Sequence, residues 1–204
     1  GANQAKANLL MSELANNPAL KIVSASDGNG NITGAKIEGK DVEFVYKRMD
    51  SIYLKVFEIA LVRGGGFSED FPGDSTFSVV INETFAKQAG WADPIGKEVD
   101  LFWANRKLTV VGVVKDYHFE PVQAKITPLL FVADPHFGLG QLTIKVDPGK
   151  IPAAMKLIET KFKKVFPMQP YSYTFMDAKN KNFYQAEDNW KQVISFAAFL
   201  SIFI

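Results

Sequence analysis

Two short segments combine acidic residues with the two histidines of the chain. Asp116, His118 and Glu120 alternate along one segment, and Asp134 and His136 form a second acid–histidine pair. Alternate residues of an extended chain share one face, and this spacing suits metal ligands or a histidine base oriented by a carboxylate. The alternative is that His118 hydrogen-bonds a loop and that the polar face is simply solvated.

Other patterns offer less chemistry. Gly64, Gly65 and Gly66 form a glycine run, but the Lys-Ser or Lys-Thr pair of a phosphate loop does not follow, so the run predicts a turn or hinge. The nucleophile elbow Gly-x-Ser-x-Gly is also missing from the sequence. Four aromatic residues could line a sugar or peptide groove, although such residues more often belong to a core: Trp91, Trp103, Tyr117 and Phe119.

Composition narrows the function classes further. The 204 residues include 23 Lys and Arg against 22 Asp and Glu, and this balance gives no electrostatic footprint for nucleic acid. Cysteine is absent, which excludes thiol catalysis, disulfides and Cys-ligated metal centres. Because 47% of the residues are hydrophobic, we expect a globular fold. We expect no cofactor and no nucleic-acid partner.

Periodicity predicts an α+β fold. Helices are predicted from Asn3 to Asn17, over Ser51 to Phe57, from Asn82 as N-cap to Gly90 as C-cap, and from Pro152 onward. The Asp27-Gly28-Asn29-Gly30 segment predicts a hairpin turn. The predicted strands are Lys21–Ser26, Ile32–Ile37, Asp41–Met49, Phe77–Ile81, Val99–Trp103, Lys107–Val114, Leu129–Val132, Leu142–Val146 and Tyr171–Met176.

A turn-rich stretch from Arg63 to Asp74 indicates a boundary between two lobes. The flanking sequence carries strands with long helices, whereas the middle carries short strands with one small helix. We therefore predict a discontinuous α/β lobe formed by residues 1–62 and 138–190, and an inserted β-rich lobe formed by residues 63–137.

The C-terminal segment is apolar on every side. From Val193 to Ile204 only Ser195 and Ser201 are polar, and the run is shorter than the roughly 20 residues of a membrane span. A buried C-terminal helix is one interpretation. The other, which we favour, is that residues 191–204 are the truncated start of a transmembrane helix that continues a long helix from Asp177. The residues expected to enter the membrane include Val193, Ile194, Phe196, Phe199, Leu200 and Phe203.

Four motifs occur in an order that resembles one protein family. They are Arg63-Gly-Gly-Gly-Phe-Ser68, Val79-Val-Ile-Asn-Glu-Thr84 with Asp93-Pro-Ile-Gly-Lys97, Val110-Val-Gly-Val-Val-Lys-Asp-Tyr-His-Phe119, and Tyr173-x-Phe-x-Asp177 with Phe183-Tyr-x-x-Glu187. Together they resemble the MacB-like periplasmic core domain of FtsX-like ABC-transporter permeases. One departure is Gly65, which stands where the family usually has Arg. The matching positions, which the resemblance treats as structural, are Asn82, Glu83, Asp93, Pro94, Gly96, Gly112, Lys115, Asp116, His118 and Phe119.

The resemblance implies a two-lobed fold with a porter-like lobe and an inserted lobe. It also implies a non-catalytic domain on the periplasmic side of a bacterial inner membrane, with a cytoplasmic ABC ATPase and a second permease subunit as partners. The domain would relay ATPase-driven motion and contact a partner protein, peptide or lipid during export, efflux or lipoprotein release. Two alternatives remain open at this point: an envelope ligand-binding receptor domain, and a His/Asp metal-dependent envelope hydrolase.

Overall fold

The computed structural model describes residues 2–67, 77–117, 125–134 and 140–176. The strands are β1 (Ile22–Ser26), β2 (Asn31–Ile37), β3 (Lys40–Met49), β4 (Leu61–Gly64), β5 (Ser78–Asn82), β6 (Glu98–Leu101), β7 (Arg106–Val114), β8 (Leu129–Ala133) and β9 (Gln141–Lys145). The helices are α1 (Ala2–Ala15), α2 (Tyr53–Val56), α3 (Glu83–Ala89) and α4 (Ile151–Val165). Short 3₁₀ turns cover Phe102–Ala104 and Pro148–Lys150. The α+β prediction is confirmed.

The nine strands of the described residues join one mixed sheet. Its order is β4-β7-β5-β8-β3-β1-β9, with β2 paired to β3 and β6 paired to β7. The pairs β3–β8 and β5–β7 are parallel, and the other pairs are antiparallel. Strands from residues 63–137 and strands from the flanking sequence therefore hydrogen-bond within the same sheet, and the predicted lobe boundaries stay a prediction.

Residue contacts divide the chain into two compact units. The first comprises Gly1–Tyr117 with Ile126–Gln169, and it contains every helix and strand named above. The second comprises His118–Lys125 with Pro170–Ile204. In its described part, the ring centroids of Tyr171 and Tyr173 lie 5.8 Å apart, and those of Tyr173 and Phe175 lie 5.5 Å apart. The predicted strand Tyr171–Met176 is wrong, because no described strand pairs with it and neither of its faces is buried.

Within the first unit we distinguish a main body from an end layer. The main body contains β2–β8 with α3, and its fully buried core includes Phe44, Phe85, Leu108 and Leu130. The end layer contains α1, β1, β9 and α4, which pack around Leu10, Leu14, Leu20, Val23 and Ala154.

Three local predictions need correction. Val99–Trp103 is not one strand, because β6 ends at Leu101 and a 3₁₀ turn follows. Strand β4 was not predicted, because its four residues are all exposed and their sequence does not alternate between apolar and polar residues. The Asp27–Gly30 turn is not a hairpin, because β1 pairs with β9 and β3 while β2 pairs with β3. Among the described residues, no helix combines the length and the apolar composition of a membrane span.

Candidate functional site

The start of α3 is fixed by a group of hydrogen-bonded side chains that we call the α3 clamp: Asn82, Glu83, Thr84 and Asp116. Asn82 is fully buried. Its Oδ1 accepts hydrogen bonds from the backbone N–H of Phe85 at 3.0 Å and of Leu129 at 2.9 Å, and its Nδ2 donates to the carbonyl of Thr127 at 3.0 Å. One side chain therefore caps α3 and ties it to the start of β8.

The other half of the clamp joins α3 to the end of β7. Both carboxylate oxygens of Asp116 accept hydrogen bonds from Thr84, Oδ1 from the backbone N–H at 3.0 Å and Oδ2 from the hydroxyl at 2.7 Å. In return, Glu83 Oε2 accepts a hydrogen bond from the backbone N–H of Asp116 at 3.0 Å. These contacts are reciprocal, and they use Asp116 for positioning.

This geometry bears on the predicted metal or acid–base site. Asp116 accepts a hydrogen bond from Thr84 at each carboxylate oxygen, so the carboxylate has a structural role in the clamp. His118, Glu120 and His136 lie outside the described residues, as does the motif residue Phe119. Within the described part of the chain, no three residues of the metal-ligating types come together. Burial raises the pKa of Tyr46, and the nearby Asp134 carboxylate adds to that rise.

The Asp93-Pro94-Ile95-Gly96 motif forms a turn that attaches to β7. Gly96 has a φ of 80°, and its N–H donates to the carbonyl of Val110 at 2.8 Å, while Lys97 N–H donates to Pro94 at 3.1 Å. Positive φ suits glycine. Lys115 continues β7 by donating its backbone N–H to Ala60 at 2.8 Å.

Gly112 lies where β7 passes closest to the glycine run. A Cβ at Gly112 would overlap the carbonyl oxygen of Gly65, and one at Gly64 would overlap the carbonyl oxygen of Val111. The register of β7 also shifts opposite Val79 and Val80. The glycine run therefore provides close backbone packing between β4 and β7, and Gly64 itself belongs to β4.

Three of the four aromatic residues considered for a groove lie within the described residues, and these three do not share one environment. Trp91 is buried, and its Nε1 donates to Glu38 at 3.1 Å. Tyr117 lies beside Phe131, with ring centroids 6.3 Å apart. Trp103 is 47% exposed and Phe102 is 72% exposed, and both border an open hollow of about 830 Å³ beside β2 and β3. The hollow is lined by Thr33, Gly34, Ala35, Lys36, Asp41, Val42, Glu43, Gln88, Phe102 and Trp103.

A second polar group, which sequence reasoning missed, lies where β1 meets β3. We call it the β1–β3 seam: Ser24, Asp27, Lys47, Arg48 and Asp50. Asp50 accepts hydrogen bonds from the Ser24 hydroxyl at 2.7 Å and from the Ala25 N–H at 2.6 Å. Burial raises the pKa of Asp50, although these hydrogen bonds oppose the rise.

The seam also contains a buried lysine. Lys47 donates to the carbonyl of Gly28, and its ammonium lies 5.2 Å from the centre of the Tyr53 ring. Burial strongly raises the pKa of Tyr53 and of Tyr117, so both hydroxyls stay neutral. The sequence held a signal for this lysine. Along β3, Lys47 lies two residues after Val45 and two residues before Met49, so it shares one face of the strand with these two apolar residues.

Six predicted positions fall on the C-terminal segment, which lies outside the described residues: Val193, Ile194, Phe196, Phe199, Leu200 and Phe203. Their entry into a membrane stays a prediction.

Comparison with known proteins identifies the family. The sequence matches the model of the MacB-like periplasmic core domain over residues 3–161. The fold is similar to the periplasmic region of MacB from Actinobacillus actinomycetemcomitans, with a TM-score of 0.68 and 18% identity over 86% of this chain and 81% of that chain. It is also similar to the extracellular domain of the ABC-type transporter YknZ from Gram-positive bacteria, with a TM-score of 0.58 and 17% identity over 74% of this chain and 81% of that chain.

A search of curated proteins gave no match. The family match nevertheless covers most of the chain, and the two structures share its fold. The chain therefore belongs to the MacB-like periplasmic core domain family, the extracytoplasmic domains of MacB-like ABC-transporter permeases.

Proposed function

We propose that this domain is a non-catalytic relay. In a permease of the bacterial inner membrane, it would receive motion driven by a cytoplasmic ABC ATPase and pass it to a substrate or partner protein. A second permease subunit would complete the transporter. Export, efflux and lipoprotein release are the processes that such a relay would serve, with a protein, peptide or lipid as the molecule contacted.

The attachment of α1 is the observation that carries this proposal. Leu10 and Leu14 of α1 are buried against the end layer, and Glu13 forms an ion pair with Lys161 of α4 at 2.8 Å. In a permease of this family, membrane helices flank the domain, so a displacement of the preceding helix would reach α1 first. Because α1 packs against α4 and β1, the displacement would move the end layer with it.

The α3 clamp supports the same proposal. A relay must hold its shape under load, and the clamp ties α3, β7 and β8 together through buried and part-buried hydrogen bonds. We propose that the motif residues of this segment maintain rigidity and carry out no chemistry. The hydrolase alternative has no comparable support, since the described contacts of the Asp116 carboxylate position Thr84 at the start of α3.

Loosening α1 in the full-length permease tests the relay. Leu14→Ala removes a fully buried side chain, while the matched control Leu9→Ala removes one that is 54% exposed on the same helix. We expect Leu14→Ala to reduce transport per ATP hydrolysed and to leave basal ATP hydrolysis intact, and we expect Leu9→Ala to behave like the wild type. Full transport in a folded Leu14→Ala permease would refute the role of α1.

The open hollow favours a second candidate, an envelope ligand-binding receptor domain. Trp103 is held by an edge-on contact with Tyr46 at 5.4 Å and keeps an exposed ring at the rim of the hollow. Aromatic rings of this kind bind the apolar faces of sugars and peptides. Titration of the chain with peptidoglycan fragments, followed by tryptophan fluorescence, tests this candidate. A saturable change that Trp103→Phe abolishes would support it, and an unchanged signal would dismiss it for these ligands.

A further inference from the structure

The end layer and the main body share few backbone pairings. Strand β1 pairs with β9 along its whole length, but it meets β3 at a single register position, Ser26 opposite Met49. By contrast, β3 pairs with β2 from Lys40 to Tyr46 and with β8 from Val45 to Met49. The sheet is therefore continuous, but the pairing between β1 and β3 is much shorter than the pairings on either side of it.

Side chains of the seam make up for the short ladder. Ser24 and Ala25 of β1 donate to Asp50, which follows β3. Asp27, which follows β1, accepts hydrogen bonds at Oδ2 from the backbone N–H and the Nε of Arg48, at 3.2 and 3.4 Å. Lys47 reaches back to Gly28. Each of these contacts joins β1 or its following turn to β3 or the residue after it.

A seam built from charges costs more to close than an apolar one. The Asp27 side chain is only 5% exposed, and its Oδ1 has no hydrogen-bond partner among the described residues. Lys47 is also buried. Desolvation of such groups offsets much of what their contacts contribute, so a partly charged junction separates at lower cost than a packed hydrocarbon core. The short helix α2 also spans the junction, where the ring centroid of Tyr53 lies 6.4 Å from that of Phe131 on β8.

We propose that the β1–β3 seam is the point at which the end layer articulates against the main body, with Asp50 as the residue that positions the two. The inference rests on the proposed relay, because it names the place where motion received by α1 passes into the rest of the domain. Two bodies joined at a short polar seam can change their relative angle while each keeps its own core.

Distance measurements between spin labels test the seam in the 204-residue chain. The chain has no cysteine, so labels attach only where cysteine is introduced. Lys156→Cys on α4 and Lys107→Cys on β7 place exposed labels on the two bodies. Gln88→Cys with Lys107→Cys places both labels on the main body. Pulsed electron–electron double resonance then measures the distribution of distances between the two labels.

Asp50→Ala removes the acceptor of the seam, and Asp116→Ala is its matched control. The Asp50 carboxylate accepts from the Ser24 hydroxyl and the Ala25 N–H across the seam, whereas the Asp116 carboxylate accepts from the hydroxyl and the N–H of Thr84, within the main body. We expect Asp50→Ala to broaden the 107–156 distribution or add a second maximum, with the 88–107 distribution unchanged. Asp116→Ala should leave the 107–156 distribution as in the wild type. Asp50→Asn should restore it, because an amide can accept from Ala25 and donate to Ser24.

A wild-type 107–156 distribution in Asp50→Ala would overturn the proposal, and so would equal broadening in Asp116→Ala. If Asp50→Ala loses its cooperative melt, Ser24→Ala replaces it with the same two outcomes. Failure of the relay is distinguishable from failure of the seam. A broadened distribution in Asp50→Ala, together with full transport by the Leu14→Ala permease, would keep the seam and remove the relay.

Discussion

The main body and the end layer exclude water to different degrees. In the main body, residues of β2, β3, β5–β8 and α3 form a core with the fully buried side chains of Phe44, Phe85 and Val99 at its centre. The hydrophobic cluster of the end layer has fewer buried residues, namely Leu10, Leu14, Leu20, Val23 and Ala154. The remaining apolar side chains of that cluster are half-buried: Met11, Leu142, Ile144, Val146, Leu157, Ile158, Phe162, Val165 and Phe166.

This difference indicates where the domain is rigid and where it can adjust. Close-packed interiors resist deformation, because every displaced side chain loses contacts on all sides. Segments with fewer buried apolar contacts open at lower free energy. The main body is thus suited to keep its shape, while α1 and α4 are suited to shift in small steps.

The same substitution placed in the two cores gives the largest expected contrast. Phe85 is fully buried and contacts Phe44 edge-on at 5.1 Å, whereas Phe162 is half-buried on α4. We expect Phe85→Ala to lower the free energy of unfolding by about 3–5 kcal/mol. Phe162→Ala should cost about 1–2 kcal/mol, since less apolar area returns to water. Urea denaturation followed by circular dichroism measures both, and equal losses would contradict the contrast between the cores.

Removing the central residue of the α3 clamp should have the next largest effect. Asn82→Ala leaves the N–H groups of Phe85 and Leu129 and the carbonyl of Thr127 without the partner they now have. We expect a loss of about 2–3 kcal/mol in the free energy of unfolding. Asn31→Ala, at an exposed position of β2, is the control and should stay within about 0.5 kcal/mol of the wild type. A small loss for Asn82→Ala would mean that the clamp adds little rigidity.

Two glycines at the β4–β7 contact offer a smaller but sharper test of rigidity. Gly112→Ala would push a methyl group against the carbonyl of Gly65, and we expect it to cost about 1–3 kcal/mol. Gly65→Ala meets no atom within 4 Å and should change stability by less than about 0.5 kcal/mol. Thermal melts of the two variants make the comparison. If Gly112→Ala is tolerated as well as Gly65→Ala, β4 yields more readily than the main body as a whole.

Local sequence signals predicted most elements of this fold, because each depends on neighbours along the chain. The spacing of Leu10 and Leu14 predicted α1, and Asn82 with Gly90 predicted the ends of α3. Pairing between distant strands left no such signal. The Asp27–Gly30 turn looked like a hairpin, yet Lys47 and Arg48 of β3 hold it instead, and no property of residues 27–30 encodes that partner.

The candidate site shows the same limit. Asp116 was singled out for its spacing from His118 and Glu120, but its partner Thr84 lies 32 residues away in sequence. The family resemblance identified Asn82, Glu83 and Asp116 of the clamp as structural without saying what they contact. The seam had one readable signal, a lysine between two apolar neighbours on β3. Its partners could not be predicted, because they depend on the register between β1 and β3.

Acidification should act with opposite signs on the end layer and on the seam, and this is the smallest effect we expect. A hydrogen bond and the positive charge of Lys161 lower the pKa of Glu13 below its usual 4.5. A lowered carboxyl pKa stabilises the native state above the unfolded value, and that stabilisation is lost as the pH falls. Asp50 behaves in reverse, because burial raises its pKa, so the native state gains stability as the pH falls.

Two charge-removing variants separate these contributions. Between about pH 6 and about pH 3, the stability difference between the wild type and Glu13→Gln should shrink. Over the same range, the difference between the wild type and Asp50→Asn should shift in favour of the wild type. Urea unfolding at stepped pH provides both curves. Parallel curves for the two variants would mean that Asp50 is not desolvated at the seam, and the junction between β1 and β3 would then be as open to water as the α1–α4 ion pair.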